Sequence, residues 1–236
     1  MLSTSLESVA FDRVSLISRR EEGGEWPMLM WMPGPGRRMI SSAPLGGGIG
    51  ERRWVLNAQV PHGYRRMDPH VHLAELASAA GASGPGVGLM TAASVAEHGR
   101  AADGGAWALA SAGLGVRGWA ADPAPGLPGP RPAGTINIIA SVPVAFSDAA
   151  LVNAVATATE AKVQALLDAG VDASGTPTDA VCVAALEPSA EHPPEAFAGP
   201  RSLWGARLAR AVHRATLDAC MRPYSGRTNA VRSPTC

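Results

Sequence analysis

The segment GTPTDAV contains Thr176, Thr178 and Asp179 and leads directly into an apolar run. A hydroxyl beside a carboxylate can form part of a nucleophilic or water-activating site. The alternative is a turn before a strand, in which the Asp and Thr oxygens bond backbone amides, and this is the more common role of such residues. Thr91 in LMTAAS and Asn137 in GTINII leave the same two alternatives open.

The segment MISSAPLGGGIGERRWVLNAQV, residues 39–60, combines serines, consecutive glycines and a strand-like run. Glycine amides can cradle a phosphate, but this segment lacks the Lys-Ser/Thr ending of a phosphate loop, and a strand follows it instead of a helix. Two interpretations remain. The glycines form a turn between strands, or they allow the backbone to approach a bulky ligand closely.

No metal site is predicted. His70 and His72 are two residues apart on a predicted helix, so they cannot share one face of it. The sequence contains neither an H-E-x-x-H motif nor paired Cys and His residues at zinc-binding spacing. The three cysteines are odd in number and widely spaced, which argues against a disulfide framework.

The composition excludes several classes of function. Hydrophobic residues make up 46% of the 236 residues, which is enough for a substantial core. Basic and acidic residues balance at 20 each, so no net charge attracts nucleic acid or an anionic membrane. No apolar run reaches the roughly 18 residues of a membrane span, and the N-terminus lacks the features of a signal peptide. We expect a cytoplasmic protein. Lys162 is the only lysine, an arginine bias that fits a GC-rich coding sequence.

Two helices are well defined in the sequence. One covers residues 68–81, with Asp68 as its N-cap and Pro69 in the first turn. The other covers residues 147–170, is capped by Ser147, and has a predicted buried stripe of Val152, Val155, Thr159, Val163 and Leu166.

A third amphipathic helix is predicted from about residue 203 to 220, and strand-like runs fill much of the remaining chain. The predicted strands cover residues 14–19, 27–32, 37–43, 52–60, 86–95, 107–116, 135–144 and 180–186. This pattern predicts an α/β-type (α+β) fold with a mixed or largely antiparallel sheet packed with helices. We expect one domain at residues 1–222 and a disordered tail at residues 223–236.

Six segments follow one another in a characteristic order: ISSAPLGGGIGERRWVLNAQVP, DPHVHLAELA, GPGVGLMTAASV, GTINIIASVPVAFSDAALVNAVATATEAKVQALLDAGV, GTPTDAVCVAA and FAGPRSLWGARLARAVH. Together they resemble the adenosylcobinamide amidohydrolases, corrinoid-salvage enzymes of the CbiZ type. The resemblance extends from about Arg37 to His213. It implies hydrolysis of the amide that joins the aminopropanol arm to a propionyl side chain of the corrin ring. The implied products are adenosylcobyric acid and 1-amino-2-propanol, with the corrinoid as substrate and no further cofactor.

Amide hydrolysis needs an activated nucleophile and a donor for the tetrahedral oxyanion. If the resemblance holds, the base is predicted to be Asp179 or Glu160. The nucleophile or water-holding group is predicted to be Thr176 or Thr178. The predicted oxyanion donors are side chains that can offer an N–H or O–H group: Asn57, Asn137 and Thr91.

A corrin ring is a wide, mostly apolar disc fringed with amides, so its binding favours close backbone approach and hydrogen-bonding side chains. The residues predicted to allow close approach are Gly46, Gly47 and Gly48. The residues predicted to meet the amides are Ser41, Ser42 and Asn57.

Several alternatives stay open at this point. GTPTDAV is also similar to a segment of self-cleaving threonine hydrolases, in which chain scission exposes a threonine amine. The segment SAGLGVRGWAAD lacks an asparagine that the family resemblance leads us to expect near Val116. The chain could therefore be a non-catalytic corrinoid-binding protein, or an amidase for an unrelated amide. The sequence leaves a homodimer undecided.

Overall fold

The computed structural model describes residues 11, 13–21, 24–123 and 134–222. Within this part of the chain the helices are α1 (Pro69–Ala79), α2 (Asp148–Asp168) and α3 (Leu203–Met221). The strands in the same part are β1 (Val14–Glu21), β2 (Gly24–Trp31), β3 (Arg37–Ser41), β4 (Gly48–Glu51), β5 (Val55–Gln59), β6 (Val87–Thr91), β7 (Gly99–Asp103), β8 (Ala106–Gly113), β9 (Thr135–Ala145) and β10 (Ala180–Leu186).

The strands form two sheets. The four-stranded sheet has the order β1-β2-β5-β6, and the six-stranded sheet has the order β4-β3-β10-β9-β8-β7. Only β5–β6 and β9–β10 are parallel pairs among the described strands, and all other neighbours are antiparallel. The predicted α+β class with mixed, largely antiparallel pairing is therefore confirmed, although the strands divide into two sheets.

The elements stack in four layers: α1, the four-stranded sheet, the six-stranded sheet, and the pair α2 and α3. Leu73 and Leu76 of α1 pack on the outer face of the four-stranded sheet. Between the sheets, Trp31 and Trp107 meet edge to face, with ring centroids 4.7 Å apart. The other face of the six-stranded sheet packs against α2 and α3. Because β9 is covered on both faces, its sequence is an almost continuous apolar run.

The buried face of α2 differs from the predicted stripe. Leu166 is buried as expected, but Val152 is 59% exposed and Thr159 is also exposed. The buried face instead consists mostly of alanine, together with one threonine, two leucines and one lysine. Its members are Ala150, Leu151, Ala154, Thr157, Ala158, Ala161, Lys162, Ala165 and Leu166. Alanine lets the helix approach its neighbours closely, so valine marks the flanks of this helix and not its core.

The helix starts follow the sequence only in part. Ser147 caps α2 as predicted, because its Oγ accepts a hydrogen bond from the amide of Ala150. Asp68 occupies the N-cap position of α1 but makes no capping bond. Its carboxylate pairs with Arg66, whose hydrogen bonds lower the pKa of Asp68 to about 2.

Two strands were not expected. The run GIGE forms β4, where the sequence suggested part of a glycine turn, and β7 lies in a segment with no predicted strand. The predicted tail at residues 223–236 lies outside the described residues, and the domain limit at residue 222 stays a prediction. None of the helices in the described part combines the length and hydropathy of a membrane span.

Candidate active site

One edge of the six-stranded sheet gathers most of the candidate residues. The parallel strands β9 and β10 both begin there, and the antiparallel strands β3 and β8 both end there. Register places Asn137 beside Ala180 and Ser111, and Ser41 beside Cys182. Strand pairing thus brings together residues that are far apart in the sequence, such as Ser41 and Val181, which are 140 positions apart.

The turn before β10 is organised around Asp179. Its Oδ1 accepts hydrogen bonds from Thr176 Oγ1 at 2.5 Å and from the amide of Ile136 at 2.8 Å. Its Oδ2 accepts from Lys162 Nζ at 2.5 Å and from the amide of Thr176 at 3.1 Å. All these bonds are made to the ionised carboxylate, which is the form that can accept a proton. We call Thr176, Asp179 and Lys162 the hydroxyl–carboxylate–ammonium cluster.

Lys162 reaches this turn from the buried face of α2. Its side chain is 8% exposed and that of Asp179 is 13% exposed, so the ion pair is largely removed from water. Gly175 packs against both charged groups: a Cβ there would lie 2.4 Å from Asp179 Oδ2 and 2.6 Å from Lys162 Nζ. A glycine at this position lets the backbone touch the ion pair.

Thr178, the second predicted hydroxyl, faces a different partner. Its Oγ1 donates to the carbonyl of Gly134 at 2.9 Å and contacts Thr135 Oγ1 at 2.6 Å. The hydroxyl therefore ties the turn before β10 to the start of β9. Of the two threonines, only Thr176 has a hydroxyl on the carboxylate.

A separate polar group lies between the two sheets. Asn137 Nδ2 donates to Asn57 Oδ1 at 2.8 Å and to the Met90 carbonyl at 3.0 Å. Asn57 Nδ2 donates to Ser111 Oγ at 3.0 Å. All three side chains are at most 2% exposed, and Asn137 Oδ1 has no hydrogen-bond partner. Ser111 was missed in the sequence because a serine in an alanine-rich strand carries no distinguishing pattern.

The asparagine group and the hydroxyl–carboxylate–ammonium cluster lie on opposite faces of the six-stranded sheet. Asp179 points toward α2, whereas Asn137 points toward the four-stranded sheet. The amides of both asparagines already donate to partners, so the structure does not direct these predicted oxyanion donors at Thr176.

Two further candidates make local contacts. Thr91 ends β6, and its Oγ1 accepts from the amide of Ala93 at 3.0 Å, which shapes the following turn. Glu160 is exposed on α2 and lines a surface groove of about 380 Å³ with Arg210 and His213 of α3. The structure does not bring Glu160 to the cluster around Asp179.

The serines of the glycine-rich segment are bound to β10. Ser41 Oγ donates to the carbonyl of Val181 at 3.0 Å, and Ser42 Oγ accepts from the Val181 amide at 3.1 Å. These hydroxyls attach the end of β3 to the strand that follows Asp179. The hydrogen bonds of these two hydroxyls therefore stabilise the position of β10 next to β3.

Of the three consecutive glycines after them, Gly46 lines a surface cleft of about 500 Å³. Gly46 has a φ of +72°, and the guanidinium of Arg52 donates to its carbonyl. The indole of Trp54 and the residues from Gly84 to Gly86 form another wall of the cleft. Gly46 thus lies in a bend between strands, as one interpretation held, and borders a concave surface, while close approach to a bulky ligand stays a prediction.

Gly46 and Gly48, the two glycines of this segment that have a positive φ, allow a test of the packing against Gly86. A Cβ at Gly46 would lie 1.9 Å from the Gly86 carbonyl oxygen, whereas a Cβ at Gly48 (φ +79°) would meet nothing within 4 Å. Gly48→Ala is expected to lower the free energy of unfolding by about 1–2 kcal/mol, from backbone strain alone. Gly46→Ala adds overpacking and is expected to cost about 3 kcal/mol or more. Urea denaturation measures both, and equal losses would contradict the close contact with Gly86.

Comparison with known proteins decides the family. The family model described as adenosylcobinamide amidohydrolase matches residues 13–228, which include every candidate residue above. The chain belongs to the adenosylcobinamide amidohydrolase family. A curated adenosylcobinamide amidohydrolase from Methanosarcina mazei is 33% identical over 182 residues, covering 72% of this chain and 84% of that protein. The resemblance found in the sequence is confirmed.

In this member of the amidohydrolase family, Lys162 is the residue of the cluster that the sequence did not reveal. The sequence alone explains this single lysine only as part of the arginine bias in the composition. Its signal was its position: it lies four residues after Ala158 on the face of α2 that is otherwise almost entirely apolar. A buried lysine needs an anionic partner, so the face of the helix predicts that a carboxylate lies opposite.

The departure from the expected amidohydrolase sequence lies near the same sheet edge. Val116, near which an asparagine was expected, places its carbonyl oxygen 2.2 Å from the position that a Cβ on Gly134 would occupy. Gly134 in turn accepts the hydroxyl of Thr178. The substituted segment therefore borders the start of β9.

Other reactive groups are arranged differently in this amidohydrolase. The described residues contain no group of three or more His, Cys, Asp or Glu side chains that could hold a metal ion. Cys182 and Cys220 are free thiols. Burial raises the pKa of Cys182 to about 12 and that of Cys220 to about 11, so neither thiol forms the nucleophilic thiolate readily.

Proposed function

We propose that the protein hydrolyses adenosylcobinamide at the amide between the aminopropanol arm and the propionyl side chain of the corrin ring. The products would be adenosylcobyric acid and 1-amino-2-propanol. The observation that carries this proposal is the family match over residues 13–228, which spans the hydroxyl–carboxylate–ammonium cluster. We further propose a cytoplasmic enzyme that needs no resident metal or cofactor.

The cluster offers the parts of an acyl-transfer site. Thr176 is half-buried, and its hydroxyl already donates to Asp179. Attack of Thr176 Oγ1 on the amide carbon would pass the hydroxyl proton to Asp179 and form an ester with the corrinoid acid. The proton would then move to the departing 1-amino-2-propanol nitrogen, and water would hydrolyse the ester.

Lys162 fits the charge requirements of this step. An ammonium has three N–H donors, and the bond to Asp179 uses one of them. The cation would offset the negative charge that develops on the substrate carbonyl oxygen. In this proposal it takes the oxyanion role that the sequence assigned to Asn57, Asn137 or Thr91.

The cleft beside Gly46 is the proposed contact for part of the corrin ring. It combines apolar walls with the guanidinium of Arg52, and the exposed Gly47 is the chain neighbour of Gly46 in its lining. A Cβ at Gly47 would lie 2.9 Å from the Ala43 carbonyl oxygen, so alanine there forces the backbone of the turn to shift. Gly47→Ala that left the affinity for adenosylcobinamide unchanged would count against this placement.

The test is incubation of the purified protein with adenosylcobinamide, followed by chromatography for adenosylcobyric acid. We expect product from the unaltered protein and a loss of at least about 10²-fold in rate for Asp179→Asn. Asp218→Asn is the matched control, because the Asp218 side chain is partly exposed and pairs with Arg222 directly after α3. Retained corrinoid without product would favour a binding protein, and neither product nor binding would leave an amidase for another amide.

A further inference from the structure

We infer that the chain cleaves itself between Gly175 and Thr176, and that the released amine of Thr176 then assists its own hydroxyl in catalysis. The cleavage follows from the geometry of the turn alone. The catalytic use of the amine rests on the function proposed above.

The first observation concerns the carbonyl of Gly175. Its oxygen accepts a hydrogen bond from the amide of Gly118 at 3.1 Å, and the Gly118 carbonyl accepts from the amide of Ser174 at 3.0 Å. These two bonds fix the direction of the carbonyl. A backbone N–H already directed at a carbonyl oxygen can stabilise the negative charge that develops there during attack.

The second observation is that Asp179 contacts both atoms of Thr176 that exchange a proton in such a cleavage. The hydroxyl oxygen, which would attack, is 2.5 Å from Oδ1, and the backbone nitrogen, which would leave, is 3.1 Å from Oδ2. A single carboxylate can therefore take the proton from one atom and return it to the other.

The third observation is the packing of Gly175 against the buried ion pair. The absence of a side chain lets its backbone lie beside Asp179 and Lys162. A turn needs only hydrogen bonds between Asp179 and nearby amides. Burial of a lysine costs free energy that a turn alone does not require, so the ammonium fits a site where charge develops.

The chemical steps balance. Thr176 Oγ1 attacks the Gly175 carbonyl carbon, its proton moves to Asp179, and the Gly118 amide stabilises the oxyanion. The C–N bond breaks as Asp179 returns the proton to the Thr176 nitrogen, which leaves an ester between Gly175 and the Thr176 oxygen. Water hydrolyses the ester. This leaves a carboxylate on Gly175 and makes Thr176 the N-terminal residue of the second fragment, with a free amine and a free hydroxyl. The freed amine of Thr176 then assists Asp179 as a second proton acceptor for the hydroxyl.

The experiment follows the intact mass of the purified full chain over time, together with adenosylcobinamide hydrolysis in the same samples. We expect the 24.2 kDa chain to give two fragments, Met1–Gly175 and Thr176–Cys236. Hydroxylamine should accelerate the cleavage and leave a hydroxamate on Gly175, because it traps the ester. Thr176→Ser should still cleave, and Thr176→Ala should stay intact.

Gly118 provides a matched pair for the oxyanion donor. Gly118→Ala keeps the amide, and its added Cβ meets nothing within 4 Å, whereas Gly118→Pro removes the N–H. The proline variant is expected to cleave about 10²–10³-fold more slowly than the alanine variant. Circular dichroism verifies that both are folded.

The outcomes separate the two proposals. An intact chain that hydrolyses adenosylcobinamide overturns self-cleavage and leaves the proposed function standing. A cleaved chain without hydrolysis supports self-cleavage and contradicts the proposed function. Cleavage at another bond, or cleavage that persists in Thr176→Ala, also overturns the inference.

Discussion

Thr176→Ala is expected to lower the rate of adenosylcobinamide hydrolysis by about 10⁴-fold or more, with the corrinoid still bound. Removal of an attacking hydroxyl leaves only the contribution of binding and charge stabilisation, and losses of this size are typical of nucleophile replacements. Thr176→Ser retains the hydroxyl and should recover most of the rate. The measurement is kcat and KM for each variant by chromatography of the product.

Comparison with other threonines shows whether the effect is specific. Thr178→Ala removes a hydroxyl that bonds Gly134, so it should weaken the turn more than the chemistry. Thr159→Ala is the neutral control, because Thr159 is exposed and bonds only the Val155 carbonyl of its own helix. If Thr178→Ala were the variant that lost activity while Thr176→Ala kept it, the nucleophile would be Thr178.

Lys162→Met is expected to lower the free energy of unfolding by about 3–5 kcal/mol, because it leaves Asp179 buried without its cation. The matched exposed pair is Asp218–Arg222, with side chains 42% and 43% exposed. Arg222→Met should change stability by less than about 1 kcal/mol. Urea denaturation at one fixed pH measures both variants.

A double-mutant cycle completes this test. Lys162→Met with Asp179→Leu removes both charges, so the pair should be less destabilised than the sum of the single changes. Purely additive losses would show that the two groups do not stabilise each other in the folded chain. Because Lys162 is the only lysine, ¹⁵N labelling of lysine gives a single side-chain ammonium to follow in the unaltered protein and in Asp179→Leu.

The sequence predicted local features better than it predicted partners. Ser147 caps its helix as expected because a cap needs only neighbouring amides. The prediction of the buried face of α2 was wrong, because hydrophobicity favours valine, whereas close packing between helix and sheet selects alanine. Thr176 and Asp179 were found together because they share one turn. Lys162 was missed because its partner comes from a different element, which only the fold brings near.

The contacts of the two asparagines could not be predicted either, because their partners also come from different elements of the fold. Asn57 and Asn137 were both selected for their amides, and the structure does join them by a hydrogen bond. The sequence could not show which face of β9 Asn137 occupies relative to Asp179, because β9 is apolar on both faces. The contact between the two sheets decides that they bond each other and do not face Thr176.

The alanine-built face of α2 also determines which sequence changes the protein tolerates. Ala154, Ala158 and Ala161 share a packed cluster with Leu208 and Val212 of α3. Any replacement other than glycine adds atoms to that contact, and extra atoms in a filled core typically cost about 1–3 kcal/mol. Exchange of one hydrophobic residue for another is usually conservative, but on this face it is not. Substitutions that change side-chain size are therefore expected to be tolerated on the flanks of the helix, at exposed residues such as Val152.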